Sequence, residues 1–551
     1  MTTATPTWFG PPDRPLFGWV HAPDGGAARG GVVLCPPSGY EAVCSHRTLR
    51  VVAECLAERG IAALRFDYDG TGDAAGHHDD PDRVHSWVAS VEAAVELLRA
   101  AGAPVVAAVG MRLGATLAAC TPGVDALVLW DPVWSGRSFV RQLRALQLLG
   151  MDGLAGTPPA EDGSLAVAGA VYPGPTVDEL RSLILPDLSA ADMPVLVLHR
   201  PDQATPAQEL TRLPAGTDVG EATDQDALLD GPSIGARVPH VAVDRVVAWL
   251  DAHLPGEATP FSPTTRSEAE VDGVVERFVA LGPAGMFGIT SEPATGAHAD
   301  HPVLLLLNNS VDHHVGPNRM WVDWGRHMAG LGFPVARVDL SGIGDSPTRP
   351  GERADHPYGR WSVPDVVDAV RAVDRGAGVV PVGLCSGARN ALDAGAAVAL
   401  RGVCAVNPPL HIARRHIATL SPDDPRPATI ERINAYRRWR HHLLLRVPTP
   451  LWRVLDRLGV VPSRARAIQG VVDTGADTLV VYGADDFYLS RVRRDSAWHL
   501  ARLDAAANHR LVSVEDLDHG LMSPAGRDEV VRHLTEHLVA TYATDGVRAS
   551  T

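Results

Sequence analysis

One pattern occurs twice in this chain, in the same order and at nearly constant spacing. Arg65-Phe66-Asp67-Tyr68-Asp69-Gly70-Thr71-Gly72-Asp73 matches Arg337-Val338-Asp339-Leu340-Ser341-Gly342-Ile343-Gly344-Asp345. Gly110-Met111-Arg112-Leu113-Gly114-Ala115 matches Gly383-Leu384-Cys385-Ser386-Gly387-Ala388, and Phe17-Gly18 answers Phe287-Gly288. Three ordered matches at so long a period indicate a duplicated domain rather than a short-repeat solenoid. At 551 residues each half is long enough to bury its own core.

Within each half, short apolar runs alternate with amphipathic stretches. Gly31–Cys35, Ala62–Phe66, Val105–Val109, Ala126–Leu129 and Pro194–His199 read as strands, with helices over Thr48–Arg59 and Val84–Ala100. The second half repeats the strands at Val303–Leu307, Pro334–Val338, Val379–Gly383, Gly402–Val406 and Thr478–Tyr482. Apolar strands alternating with helices predict an α/β fold: in each half a mainly parallel sheet covered by helices on both faces. Pro255, Gly256, Pro260 and Pro263 cluster among small and polar residues, so the expected division is residues 1–255, a linker 256–270, and 271–551.

The two glycine-flanked pentapeptides have the form of a nucleophile elbow, G-x-S-x-G, a sharp turn from strand to helix. Its glycines are needed because the turn brings backbone against backbone. Its central residue sits at a helix N-terminus, where backbone N–H groups favour an anion. In the second half the central residue is Cys385, with Val379–Val382 before it and a helix expected over Ala388–Leu400. The strand Thr478–Tyr482 runs into Gly483-Ala484-Asp485-Asp486. His519 follows in a loop before the last helix. This order suits a nucleophile (Cys385), a base (His519) and an orienting acid (Asp486, with Asp485 the second choice). The N–H groups of Ser386 and Asn309 are the candidate oxyanion donors. Asn308 and His314 fall in the same loop as Asn309, and His314 is a candidate substrate contact.

In the first half the central residue is Arg112, which stays protonated and cannot attack an acyl carbon. Asp202 and His240 occupy places corresponding to the acid and the base. They are read as remnants of a degenerate site, with Arg112 pairing with Asp202 or receiving a carboxylate or phosphate.

Pro36-Pro37-Ser38-Gly39-Tyr40-Glu41, Ser45-His46-Arg47 and Arg65–Asp73 resemble the serine-aminopeptidase-like branch of the α/β-hydrolase superfamily. The two elbows, with His313-His314-Val315-Gly316-Pro317-Asn318-Arg319, resemble the paired hydrolases associated with exosortase A systems, one with an Arg elbow and one with a Cys elbow. The resemblance implies two tandem α/β-hydrolase domains, each with a lid insertion, and an association with bacterial polysaccharide or secondary-metabolite pathways.

The expected lid of the second half, residues 408–470, is rich in arginine, including Arg437 and Arg438 as candidate substrate contacts. The chain as a whole carries a net charge of −16, which argues against general nucleic-acid binding. A basic lid in an acidic protein suits a phosphopantetheine thioester, on coenzyme A or an acidic acyl carrier protein. The expected reaction is therefore acyl transfer or hydrolysis through a cysteine acyl-enzyme. The alternatives are an esterase of the dienelactone-hydrolase kind and an inactive two-lobed scaffold. No metal or cofactor is expected: the six cysteines show no zinc spacing, and Gly70-Thr71-Gly72 and Gly342-Ile343-Gly344 are too short for a dinucleotide fingerprint. Met1–Gly10 lacks the features of a signal peptide and no apolar run reaches membrane-spanning length, so a cytoplasmic location is expected.

Overall fold

The computed structural model describes residues 3–150, 160–203, 207–254, 256–410, 448, 450–451, 454 and 465–543. The chain divides into two units, Met1–Asp272 and Gly273–Thr551. Each has the α/β-hydrolase arrangement, and each is built by the same physical logic.

In the first unit the sheet runs Thr3–Phe9, Leu16–Ala22, Ala62–Phe66, Gly31–Cys35, Val106–Met111, Ala126–Trp130, Val195–His199, Asp218–Glu221. In the second unit the strands after Gly273 run Val274–Leu281, Met286–Pro293, Val335–Val338, Val303–Leu307, Val379–Leu384, Gly402–Val406, Asp477–Gly483, His509–Val514. In both, the second strand is antiparallel to its neighbours. In both, the two strands that follow it in sequence exchange places, and the pairings among the remaining strands are parallel. The exchange creates a topological switch point at the C-terminal edge of the central strands, where such sheets carry their sites.

The central strands are apolar throughout because both faces are covered. In Val303–Leu307 every residue is buried. Leu304 and Leu306 join one core cluster while Val303, Leu305 and Leu307 join the other. Each fully buried leucine contributes about 1.5–3 kcal/mol. Pro381 stands in a central strand, a position that normally costs a ladder hydrogen bond. Here the ladder to Gly402–Val406 begins only at Val382, one residue beyond the proline.

Several boundaries differ from the sequence expectation. The first helix spans Tyr40–Glu58, starting well before Thr48, directly after Gly39 at φ 61°. The helix expected over Ala388–Leu400 is Ser386–Ala394. The expected linker, 256–270, contains the short strands Thr259–Pro260 and Glu268–Val271. Most of the expected lid, with Arg437 and Arg438, lies outside the described residues. Among the described residues, no helix is long and apolar enough to cross a membrane.

Candidate active site

Both elbows are real turns with one backbone conformation. Cys385 has φ 49° and ψ −109°, and Arg112 has φ 55° and ψ −120°. A non-glycine residue holds positive φ only where its surroundings impose it. Here the imposition is visible. The Cys385 N–H donates to Val406 O at 2.9 Å, and the Arg112 N–H donates to Trp130 O at 2.9 Å. A Cβ on Gly383 would run into the backbone of Gly387 and Ala388, and one on Gly387 into Asn308 O. The glycines of the motif are therefore steric requirements in this chain.

In the second unit three strand ends converge on Cys385, which is partly exposed. Asp486 follows the strand Asp477–Gly483 and caps the helix Phe487–Asp495, its Oδ1 accepting from the N–H of Tyr488 at 2.7 Å and of Leu489 at 3.4 Å. Its other oxygen, Oδ2, lies 2.9 Å from His519 Nδ1. The cap thus fixes the carboxylate that orients the imidazole. Burial opposes protonation of His519, but Asp486, hydrogen-bonded to the ring, and the neighbouring Cys385 outweigh that and push its pKa up to about 10. Asp485, the second choice for the acid, points to solvent.

The loop Leu517–Leu521 that carries His519 is pinned by Asn407, at the end of the neighbouring strand. Its Nδ2 donates to Asp518 O and His519 O at 3.1 Å each, and its Oδ1 accepts from Gly483 N–H at 3.0 Å. Asn407 is fully buried at φ 45°. Sequence reasoning missed it. The signal was an acidic or amide residue followed by proline directly after a strand, present in both halves as Asp131-Pro132 and Asn407-Pro408. Two tyrosines were also missed. The Tyr488 ring packs against the His519 ring with centroids 5.0 Å apart, and the Tyr358 hydroxyl lies 3.9 Å from Cys385 Sγ.

Ser386 opens the helix after the elbow, where an N–H has no partner within the helix. Its hydroxyl accepts from Ser310 N–H at 2.7 Å, tying the elbow to the loop after Val303–Leu307. Asn309 lies in that loop, with its side-chain amide 3.4 Å from Asp312 Oδ2.

His314 is not a substrate contact. It is 1% exposed and its Nδ1 lies 2.8 Å from the fully buried Asp339 Oδ2. Asp339 also accepts from Asn308 Nδ2 at 2.8 Å and from Asp345 N–H at 2.9 Å. The histidine was drawn inward because a buried carboxylate requires donors. His314, Asp339 and Asp345 bring ligand-type atoms within 4.8 Å of one another. Asp339 already spends both its oxygens on protein donors, which makes the group a structural network.

In the first unit the equivalent elbow is filled by its own side chains. Arg112 Nε donates to Glu41 Oε1, Nη1 to Asp131 Oδ2 and Nη2 to Gln142 Oε1, each at 3.1 Å. The expected partner Asp202 is exposed and pairs with Arg200. His240 is exposed on the first turn of the helix His240–His253. The remnant acid and base therefore do not converge on Arg112. Two carboxylates already flank the guanidinium, which leaves no excess positive charge to receive an anionic ligand. The hairpin Leu165–Val167/Ala170–Tyr172 closes over the adjacent loop, with Tyr172 hydroxyl 3.1 Å from Ser38 Oγ.

No family model and no curated protein matches this chain. Similar solved structures include Est1E from Butyrivibrio proteoclasticus with bound ferulic acid, at 16% identity and TM-score 0.34, covering 45% of this chain and 99% of that one. DcsB in complex with a substrate analogue matches at 17% identity and TM-score 0.33, covering 46% and 100%. A dienelactone hydrolase from Anabaena variabilis matches at 14% identity and TM-score 0.29, covering 50% and 99%. At these scores the assignment of two α/β-hydrolase units rests on the strand order and the elbow geometry.

Proposed function

We propose that the second unit is an acyl-transfer or acyl-hydrolysis centre with Cys385 as nucleophile. One observation carries this reading: His519, beside the elbow cysteine, has its ring oriented by a carboxylate that a helix cap holds in place. The imidazole can take the thiol proton as the sulfur attacks, and the helix start presents backbone N–H groups beside it.

In the first step the Cys385 sulfur bonds to the substrate acyl carbon. The bond to the leaving thiol or alcohol breaks, and the leaving group takes its proton from His519. In the second step His519 takes a proton from water or another acceptor. The acceptor oxygen or nitrogen bonds to the acyl carbon, and the Cys385 thioester is released. The N–H of Ser386 and an N–H near Asn309 are the proposed donors to the tetrahedral oxyanion. A thioester is the favoured substrate because sulfur-to-sulfur exchange costs little free energy. The arginine content of residues 408–470 suits an acidic carrier protein or coenzyme A. In the first unit Arg112 is proposed to be structural and that elbow non-hydrolytic.

Intact-mass measurement after mixing with a panel of acyl thioesters and simple esters tests the reading. An acyl adduct on Cys385 formed from thioesters supports it. Turnover of esters or lactones with no thioester reaction points to a dienelactone-hydrolase-like esterase. No adduct and no turnover, with Cys385 alkylated no faster than an ordinary surface thiol, leaves a scaffold.

A further inference from the structure

We infer that Tyr358 is a second hydrogen-bond partner of the nucleophile, donating its phenol O–H to the Cys385 sulfur and holding it as the thiolate. The inference rests on the reading of Cys385 as nucleophile and adds to it a residue that the nucleophile, acid and histidine pattern does not contain.

Tyr358 lies in the segment between the turn that follows Val335–Val338 and the helix Ser362–Val373. It is 8% exposed, and its hydroxyl is 3.9 Å from Cys385 Sγ. The segment is tied to the helix that begins at the elbow, since Asn390 Nδ2 donates to Pro357 O at 3.3 Å. A phenol hydroxyl in so closed a place needs a polar partner. Burial first, and then the nearby Cys385, push the Tyr358 phenol well above its ordinary range, so the hydroxyl keeps its proton and can only donate to an anionic sulfur. The other charged or titratable groups whose fields overlap here are His519, Asp486, Tyr488, Tyr482 and Arg389. His519 supplies a positive charge and Tyr358 a neutral dipole, so the sulfur sits between two donors.

The distance also bears on the choice of element. A separation of 3.9 Å is long for a neutral thiol partner and shortens around an anion. It is far outside the range of an O–H···O bond. A serine placed at this elbow would lose the tyrosine as a partner, whereas the larger sulfur keeps it.

The test is the pH profile of Cys385 alkylation by iodoacetamide, followed by intact mass on the full chain. In this reaction the sulfur–carbon bond forms and iodide leaves. Tyr358→Phe removes one oxygen, and Tyr358→Met removes the donor with a side chain of different shape. Both are expected to move the profile to higher pH by about one unit, which is about tenfold slower labelling below the midpoint. A role in packing alone leaves the profile where it is in Tyr358→Phe, and that result overturns the assignment. If Tyr358→Phe fails to fold, Tyr358→Met decides by the same criterion. His519→Ala separates the two levels of argument. A profile that responds to His519→Ala but not to the tyrosine variants removes Tyr358 and keeps the nucleophile. A profile that responds to neither removes both.

Discussion

Cys385 and Arg112 occupy the same backbone conformation, within a few degrees in φ and about ten in ψ, on equivalent turns of two sheets with one strand order. What differs is the company each keeps. Around Cys385 the strand ends deliver an imidazole and its carboxylate. Around Arg112 stand two carboxylates and an amide, Asp131 from a strand end and Glu41 and Gln142 from helices.

His519→Ala is expected to slow acylation of Cys385 by about 10²-fold or more, the usual contribution of a placed acid–base group. Asp486→Asn keeps the shape but presents the wrong partner to Nδ1 and should fall between wild type and His519→Ala. Single-turnover acylation followed by intact mass measures both.

The His519 ion pair should also make stability depend on pH. Its value rises from an ordinary 6.5 to about 10 in the fold, where burial opposes the charge but Asp486 and Cys385 beside the ring outweigh it. A raised histidine value stabilises fully at pH below the unfolded value, and that contribution disappears as pH climbs through the folded value. The difference in Tm between wild type and His519→Gln should therefore be large at mildly acidic pH and shrink toward zero above pH ~10. A difference that grows with pH would contradict the pairing.

Asn407→Ala should cost about 1–3 kcal/mol in urea denaturation, because it leaves the buried Gly483 N–H and the part-buried carbonyls of Asp518 and His519 without their side-chain partner. It should also slow Cys385 labelling, since the loop that presents His519 loses its anchor. Destabilisation with unchanged labelling would show that the loop is held by other contacts.

Arg112→Ser should not create a hydrolase. Removing the guanidinium leaves Glu41 and Asp131 facing each other in a largely closed site and should destabilise the first unit. Urea denaturation and ester turnover in a Cys385→Ala background check the two halves of this expectation. Turnover regained from Ser at position 112 would overturn the view of a structural elbow.

His314→Gln should lower Tm and leave KM unchanged for any substrate the protein turns over, because the ring is sealed against Asp339. A raised KM with unaltered Tm would return His314 to the substrate site.

The duplicated motif, the alternation of apolar and amphipathic runs, and the glycine-flanked elbow were legible in the chain itself. Each depends on local chemistry: a strand covered on both faces must be apolar, and a turn that presses backbone on backbone must be glycine. The strands Leu16–Ala22, Val274–Leu281 and Met286–Pro293 were less legible, because they pair antiparallel and are followed by another strand without an intervening helix, outside the strand–helix alternation. The opening turn of the helix Tyr40–Glu58 was hidden for another reason: the role of its Glu41 is set by Arg112, far away in sequence.

The choice between Asp485 and Asp486, the inward turn of His314, and the partners of Arg112 were decided only by the tertiary structure. Each depends on which strand end lies beside which, and residues far apart in sequence meet there: Asp486 with His519, Arg112 with Glu41 and Asp131, Tyr358 with Cys385. Spacing along a chain determines what a turn or a helix face can be. The pairing of a buried charge depends on the dielectric and the donors around it, and those exist only once the sheet has closed.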